Sequence, residues 1–269
     1  MTATAAQDIR HQRSTGAARV GLALRHGIAA VATLEQTGCA RAFVLPGPEV
    51  VFLNTAGGLT GGDMLSAGLD IPAGARVTAT TQTAERLYRA AGGTARIAVS
   101  ARVGAGARLD WLPQETILFE GCRARRRTEI DLGPGATCLM AETLILGRAA
   151  MGETPRRPDF RDWRQISRGG VPVHLDPVAI GPGTLGPGPA GTDGARALAS
   201  VVLVGPGAEN ALGPVRALMP FDGVRAAASG WDGRLAVRLM AGDGWPLRRA
   251  LAALLRLLCG RPLPRVWQV

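Results

Sequence analysis

Three segments, Leu69-Asp-Ile-Pro-Ala-Gly-Ala-Arg-Val77, Val103-Gly-Ala-Gly-Ala-Arg-Leu109 and Leu132-Gly-Pro-Gly-Ala-Thr-Cys138, carry one pattern, with Gly-Ala pairs opening at 74, 106 and 135. After each pair comes a glutamate beside a threonine or alanine: Thr83-Ala84-Glu85, then Glu115-Thr116, then Ala141-Glu142-Thr143. A unit of about 30 residues with a glycine turn and β-rich flanks cannot bury its apolar residues alone, but stacked copies can. The fold expected is therefore mainly β, a β-helix-like stack of strands or double-sheet scaffold, with a few helices.

Outward from the repeat the same spacing persists. Ile28 to Leu34 and Arg41 to Leu45 are short apolar runs ended by Gly, Pro or a charge, which is strand spacing, and Leu198 to Val204 reads as a fully buried strand. Residues 1–16 lack periodicity and are expected to be a flexible tail, leaving 17–269 as a single β-rich domain. Residues 181–195 are dominated by Gly and Pro and read as a loop. One helix is expected near the C-terminus, over about 246–259. Pro246 opens it, Leu247, Leu251, Leu254, Leu255 and Leu258 form its apolar side, and Gly260 stops it. A second is possible over Asn210 to Met219.

Composition excludes several chemistries. All 31 basic residues among 269 are arginine. With no lysine there is no Schiff-base amine, no P-loop lysine and no kinase-type phosphate-pairing lysine. The four cysteines are widely spaced, without a C-x-x-C, which argues against a disulfide framework or zinc finger and for a reducing cytosol. No segment approaches the ~20 apolar residues that span a bilayer, and the N-terminus lacks a signal-peptide core, so a cytoplasmic protein is expected, with no membrane partner. The net charge of +10 predicts acidic partners.

The loop Asn54-Thr-Ala-Gly-Gly-Leu-Thr-Gly-Gly-Asp63 is glycine-rich enough to cradle an anion, but Asp63 stands where a Walker motif has lysine. A tight turn with glycines at positive φ is the simpler reading, with a cation site at Asp63 the other. Glu115 and Glu120 lie among apolar residues, as does Glu142, and Glu85 adjoins Arg86. Such carboxylates are costly to bury unless paired or metal-bound. Paired carboxylates also admit a β-helical carbohydrate-active enzyme using Glu115 with Glu142 or Asp63. The cluster Arg123, Arg125, Arg126, Arg127 fits phosphate contacts, or an edge strand charged against self-pairing. The absence of interleaved aromatic residues favours the edge strand over nucleic acid.

Four motifs in register across residues 51–153 resemble the urease accessory protein family UreD, also called UreH: Phe52 to Asp63, Thr80 to Arg89, Trp111 to Gly121 and Ala141 to Glu153. Weaker likeness runs through Phe160 to Arg168 and on to about residue 240. The resemblance implies a non-enzymatic chaperone of mainly β, helix-like fold. It implies a scaffold that joins UreF and the GTPase UreG on the urease apoprotein, through which Ni(II) reaches the urease active site. On that implication no cofactor is tightly bound and no nucleic acid is a partner. Ni(II) in transit is expected to exchange between weak oxygen ligands, with Asp63, Glu85, Glu115 and Glu142 the candidates.

Overall fold

A computed structural model of the protein describes residues 13–148, 151–186, 188 and 191–268. Each Gly-Ala pair makes a tight turn. Ala75, Ala107 and Ala136 N–H donate to the carbonyls of Pro72, Gly104 and Gly133 at 3.3, 3.1 and 3.1 Å. Gly74, Gly106 and Gly135 hold φ of 72°, 62° and 67°, the left-handed third position that a type II turn requires. The turns stack: Gly74 N–H donates to Ala105 O at 2.9 Å and Gly106 N–H to Pro134 O at 2.8 Å. At Gly104 a Cβ would sit 2.4 Å from Ala73 N, so the close approach of neighbouring turns excludes any side chain there.

These turns link the coils of a β-solenoid-like stack. Strands β5 (Met64–Ile71), β8 (Ala95–Val103) and β11 (Arg123–Leu132) pair in parallel in one sheet. Across the turns, β6 (Arg76–Thr81), β9 (Arg108–Trp111) and β12 (Thr137–Leu146) pair in parallel in the other. A short third row, β7 (Glu85–Leu87), β10 (Thr116–Leu118) and the end of β12, is also parallel.

Hairpins close both ends. At one end lie β1 (Thr15–Arg25) with β2 (Ile28–Gly38), and β3 (Ala40–Leu45) with β4 (Glu49–Asn54). At the other, β13 (Asp159–Arg168) carries β14 (Val171–Ile180), while β15 (Ala197–Val204) extends from β12 and is followed by β16 (Val224–Trp231) and β17 (Arg234–Ala241). The first sheet runs β14-β13-β11-β8-β5-β1-β2, and the second β16-β17-β15-β12-β9-β6-β4-β3. The first strand begins at Thr15, two residues inside the expected tail, and residues 1–12 of that tail lie outside the described residues.

Between the sheets the core is aliphatic: Val20, Leu69, Val77, Leu109, Ile130 and Ile166 are buried there. The other face of the second sheet is covered by α2 (Gly244–Cys259), whose Leu247, Leu251, Leu254, Leu255 and Leu258 pack on Leu139, Val201, Val237 and Leu239. Asp243 caps α2 by accepting from Trp245 N–H at 2.8 Å, and Gly260 ends it in the left-handed conformation. The expected second helix is a 3-10 turn at Ala208–Ala211 running into α1 (Leu212–Leu218). Among the described residues no helix is long and apolar enough to cross a membrane.

One sequence expectation changes. β11, which carries Arg123 to Arg127, is an interior strand with β8 and β13 on its two sides, so its charges do not guard an edge. Its alternation sends Arg123, Arg125 and Arg127 outward and buries Arg126 between the sheets.

Candidate functional site

Where the inter-sheet core gives way to a third apolar cluster around Leu87, Leu118 and Phe160, a few polar groups, Thr116, Arg126, Glu142 and Asp162, are buried among apolar residues. A cavity of about 90 Å³ lies there, lined among others by Glu85, Glu142, Arg126, Asn54, Thr116 and Trp111. That is room for several waters, since one needs roughly 10–15 Å³ on this measure.

Glu142 stands on β12 with its side chain toward the cavity, and its oxygens are engaged. Trp111 Nε1 donates to Oε1 at 2.9 Å, and Oε2 lies 2.8 Å from Arg126 Nη1, which also donates to Thr116 Oγ1 at 3.0 Å. Arg126 then pairs with Asp162 at 2.5 Å, Asp162 with Arg164 at 2.6 Å, Arg164 with Asp176 at 3.0 Å, and Asp176 with Arg238 at 2.6 Å. Ser200 Oγ donates to Asp176 Oδ2 at 2.7 Å. The chain of charges leaves the second sheet at Glu142, runs through β11, β13 and β14 of the first, and returns at β17. Three carboxylates and three guanidinia balance, the first five charges buried and Arg238 ending the chain at the surface. Burial pushes the Asp162 carboxyl up, but Arg126 and Arg164 outweigh it and hold it below the ordinary carboxylate range. Asp176 is held low in the same way by Arg164 and Arg238.

Glu85 is different. Burial raises its pKa to about 7, while the Asn54 amide, 3.3 Å from both oxygens, and the charges of Arg86 and Arg126 offset this only partly. Among the described residues it forms no ion pair. It is the candidate whose oxygens lie in the cavity without a cation seated on them.

The other two candidates stand apart. Asp63 is buried, but it accepts Ser14 N–H at 2.9 Å on one oxygen and Thr60 N–H at 2.8 Å on the other, fixing the start of β1 to the glycine loop. Gly57, Gly58 and Gly62 of that loop have φ of 74°, 150° and 93°, in keeping with the tight-turn reading. Glu115 turns outward to Arg248 of α2, at 3.3 Å. The three repeated glutamates are not in one register: Glu85 lies opposite Thr116, which lies opposite Leu144, so Glu115 is opposite Thr143 and faces away from Glu142. Glu115 and Glu142 therefore do not share a cleft, and the paired-carboxylate arrangement that a glycosidase needs is not formed by them. Glu120 accepts backbone N–H groups of Arg156 and Arg157 at the rim.

Asp162, Arg164 and Asp176 were not singled out from sequence. Their signal was the alternation Asp-x-Arg in a strand pattern followed by a second buried Asp, which reads as solvated charge until the strands are paired. Among the described residues, no group of three or more His, Cys, Asp or Glu is placed to cage a metal ion. Weak, oxygen-only coordination by one or two carboxylates is what the cavity can supply.

A model of the UreD urease accessory protein family matches residues 14–268. The chain is 57% identical over 96% of its length to a protein named urease accessory protein UreD from Cereibacter sphaeroides, covering 96% of that protein. Identity is 52% to the protein of that name from Dinoroseobacter shibae and 48% to that from Paracoccus denitrificans, with 97% of this chain and 94% of each relative covered.

Proposed function

The chain belongs to the UreD urease accessory protein family and has a role in urease maturation, and from that premise we propose that it is a non-enzymatic scaffold joining UreF-like and UreG-like partners on the urease apoprotein while Ni(II) passes through its interior. The observation that carries this reading is Glu85 in a largely apolar cavity between the two sheets, where Asn54, Thr116, Arg126 and Glu142 are the neighbouring polar groups. A carboxylate in equilibrium with its protonated form near neutrality can release a proton as a divalent ion arrives and take one back as it leaves. Glu142, already paired with Arg126, holds the cavity wall in shape and is a poorer ligand.

No lysine is available to contact a nucleotide's phosphates, so the energy source is assigned to the GTPase partner. The proposed site of action is the cytoplasm.

Co-expression of urease with its accessory proteins tests this. Glu85→Gln is expected to lower nickel per urease active site several-fold, measured by metal analysis of purified urease, while the accessory complex still co-purifies. Glu115→Gln, outside the cavity, is expected to leave nickel content near wild type. Full nickel loading with Glu85→Gln would sink the passage reading.

A further inference from the structure

The outer face of the first sheet carries a feature that neither the cavity nor its passage uses. Arg96 on β8, Arg125 on β11 and Arg161 on β13 are register partners, so three guanidinia stand in one row across three adjacent strands. Strands are spaced by about 4.8 Å, and like charges directly opposite one another destabilise a sheet. Along β11, Arg123, Arg125 and Arg127 occupy alternate positions on the same outward face. Row and column cross at Arg125. They surround a groove of about 870 Å³ lined by Arg96, Arg125, Arg127, Arg161 and the half-exposed Trp163. Among the described residues, Asp159, 2.9 Å from Arg125, and Glu129, 2.8 Å from Arg127, are the carboxylates paired with these outward arginines, while Asp162 at the groove floor is paired with Arg126 and Arg164.

We propose that this groove docks an extended acidic segment of a partner protein, with alternate carboxylates of the segment seated on the arginines of β11 and its neighbours. The spacing supports the choice. Arginines at alternate positions of a strand repeat every ~6.8 Å, the period at which an extended segment presents alternate side chains to one side. The guanidinium fork donates two parallel N–H groups to a carboxylate. A second copy of this chain is a poor occupant, because each copy carries a net charge of +10. Single-stranded nucleic acid needs stacking faces in series, and among the described residues Trp163 is the one aromatic lining the groove.

The test uses the full chain and a fluorescent extended decapeptide of alternating Glu and Ser. Wild type is expected to bind it with an affinity that falls steeply with salt. The triple variant Arg96→Gln, Arg125→Gln, Arg161→Gln is expected to weaken binding at least tenfold. Arg25→Gln, Arg249→Gln, Arg256→Gln, which removes the same charge from exposed positions elsewhere, is expected to weaken it less than threefold. Circular dichroism confirms that both variants fold. Equal losses in the two triple variants would show net charge alone and overturn the proposal. So would a wild-type preference, at matched charge, for duplex DNA or for vesicles containing phosphatidylserine.

Discussion

Glu85 and Arg126 show how differently a half-buried carboxyl and a fully buried guanidinium act on stability. Because folding raises the Glu85 pKa from the ordinary glutamate value of about 4.3 to about 7, the folded state holds the extra proton between those values. Its contribution therefore favours the folded state below about pH 4 and is lost as pH rises to 7. Glu85→Gln is expected to gain thermal stability over wild type at pH 8, by on the order of 1–3 kcal/mol, and little or none at pH 4.5. Paired melting curves across that range check it, and a constant difference between the two proteins would be the contrary result. Asp162 and Asp176, held low by arginines, act in the opposite sense and lose their stabilising effect as pH falls below the ordinary aspartate range. Arg126→Ala leaves Glu142 and Asp162 buried without their shared cation, and is expected to cost about 3–5 kcal/mol in denaturant unfolding. None of this was readable in the sequence beyond the unusual apolar setting of the glutamates. An arginine in a run of four reads as surface, and only the position of β11 between β8 and β13 shows that Arg126, alone of the four, turns inward.

At the scale of elements, the turns and the last helix were legible because local chemistry decides them. Gly74, Gly106 and Gly135 must adopt positive φ, and no other residue does so as cheaply. Placing a methyl group at Gly104, against the backbone of the preceding turn, is expected to cost about 1–3 kcal/mol. Gly92→Ala, which meets open space without positive φ, is expected to stay within about 0.5 kcal/mol of wild type. In α2, Leu254→Ala is expected to cost about 2–5 kcal/mol and Asp243→Ala about 1 kcal/mol, both by chemical denaturation. Strand order was not legible in the same way. Each parallel partner lies one whole coil away in the chain, and period-two alternation reveals the face of a residue without naming its neighbour. The one-residue offset of the three glutamates is of that kind: the motif repeats, the register does not.

For the whole molecule, two edge strands carry exposed apolar residues at the end closed by the first two hairpins, Ile28 and Leu34 on β2 and Phe43 and Leu45 on β3. The lone chain is therefore expected to be poorly soluble, and Leu34→Lys to raise its soluble fraction on expression without its partners. A soluble fraction unchanged by that substitution would remove the edge as the cause. The placement of α2 also bears on how the protein is made. The outer apolar face of the second sheet has its β12 and β15 strands once residue 204 has been synthesised, yet the helix that covers it ends at residue 259. At ~5–20 residues per second, translation leaves that face without its lid for about 3–11 s. Arg76 and Arg108, already in place on β6 and β9, then receive the C-terminal carbonyls of the arriving helix at Cys259 and Leu258. The late helix is thus the latch, and a nascent chain halted before it would be a ready client for general chaperones.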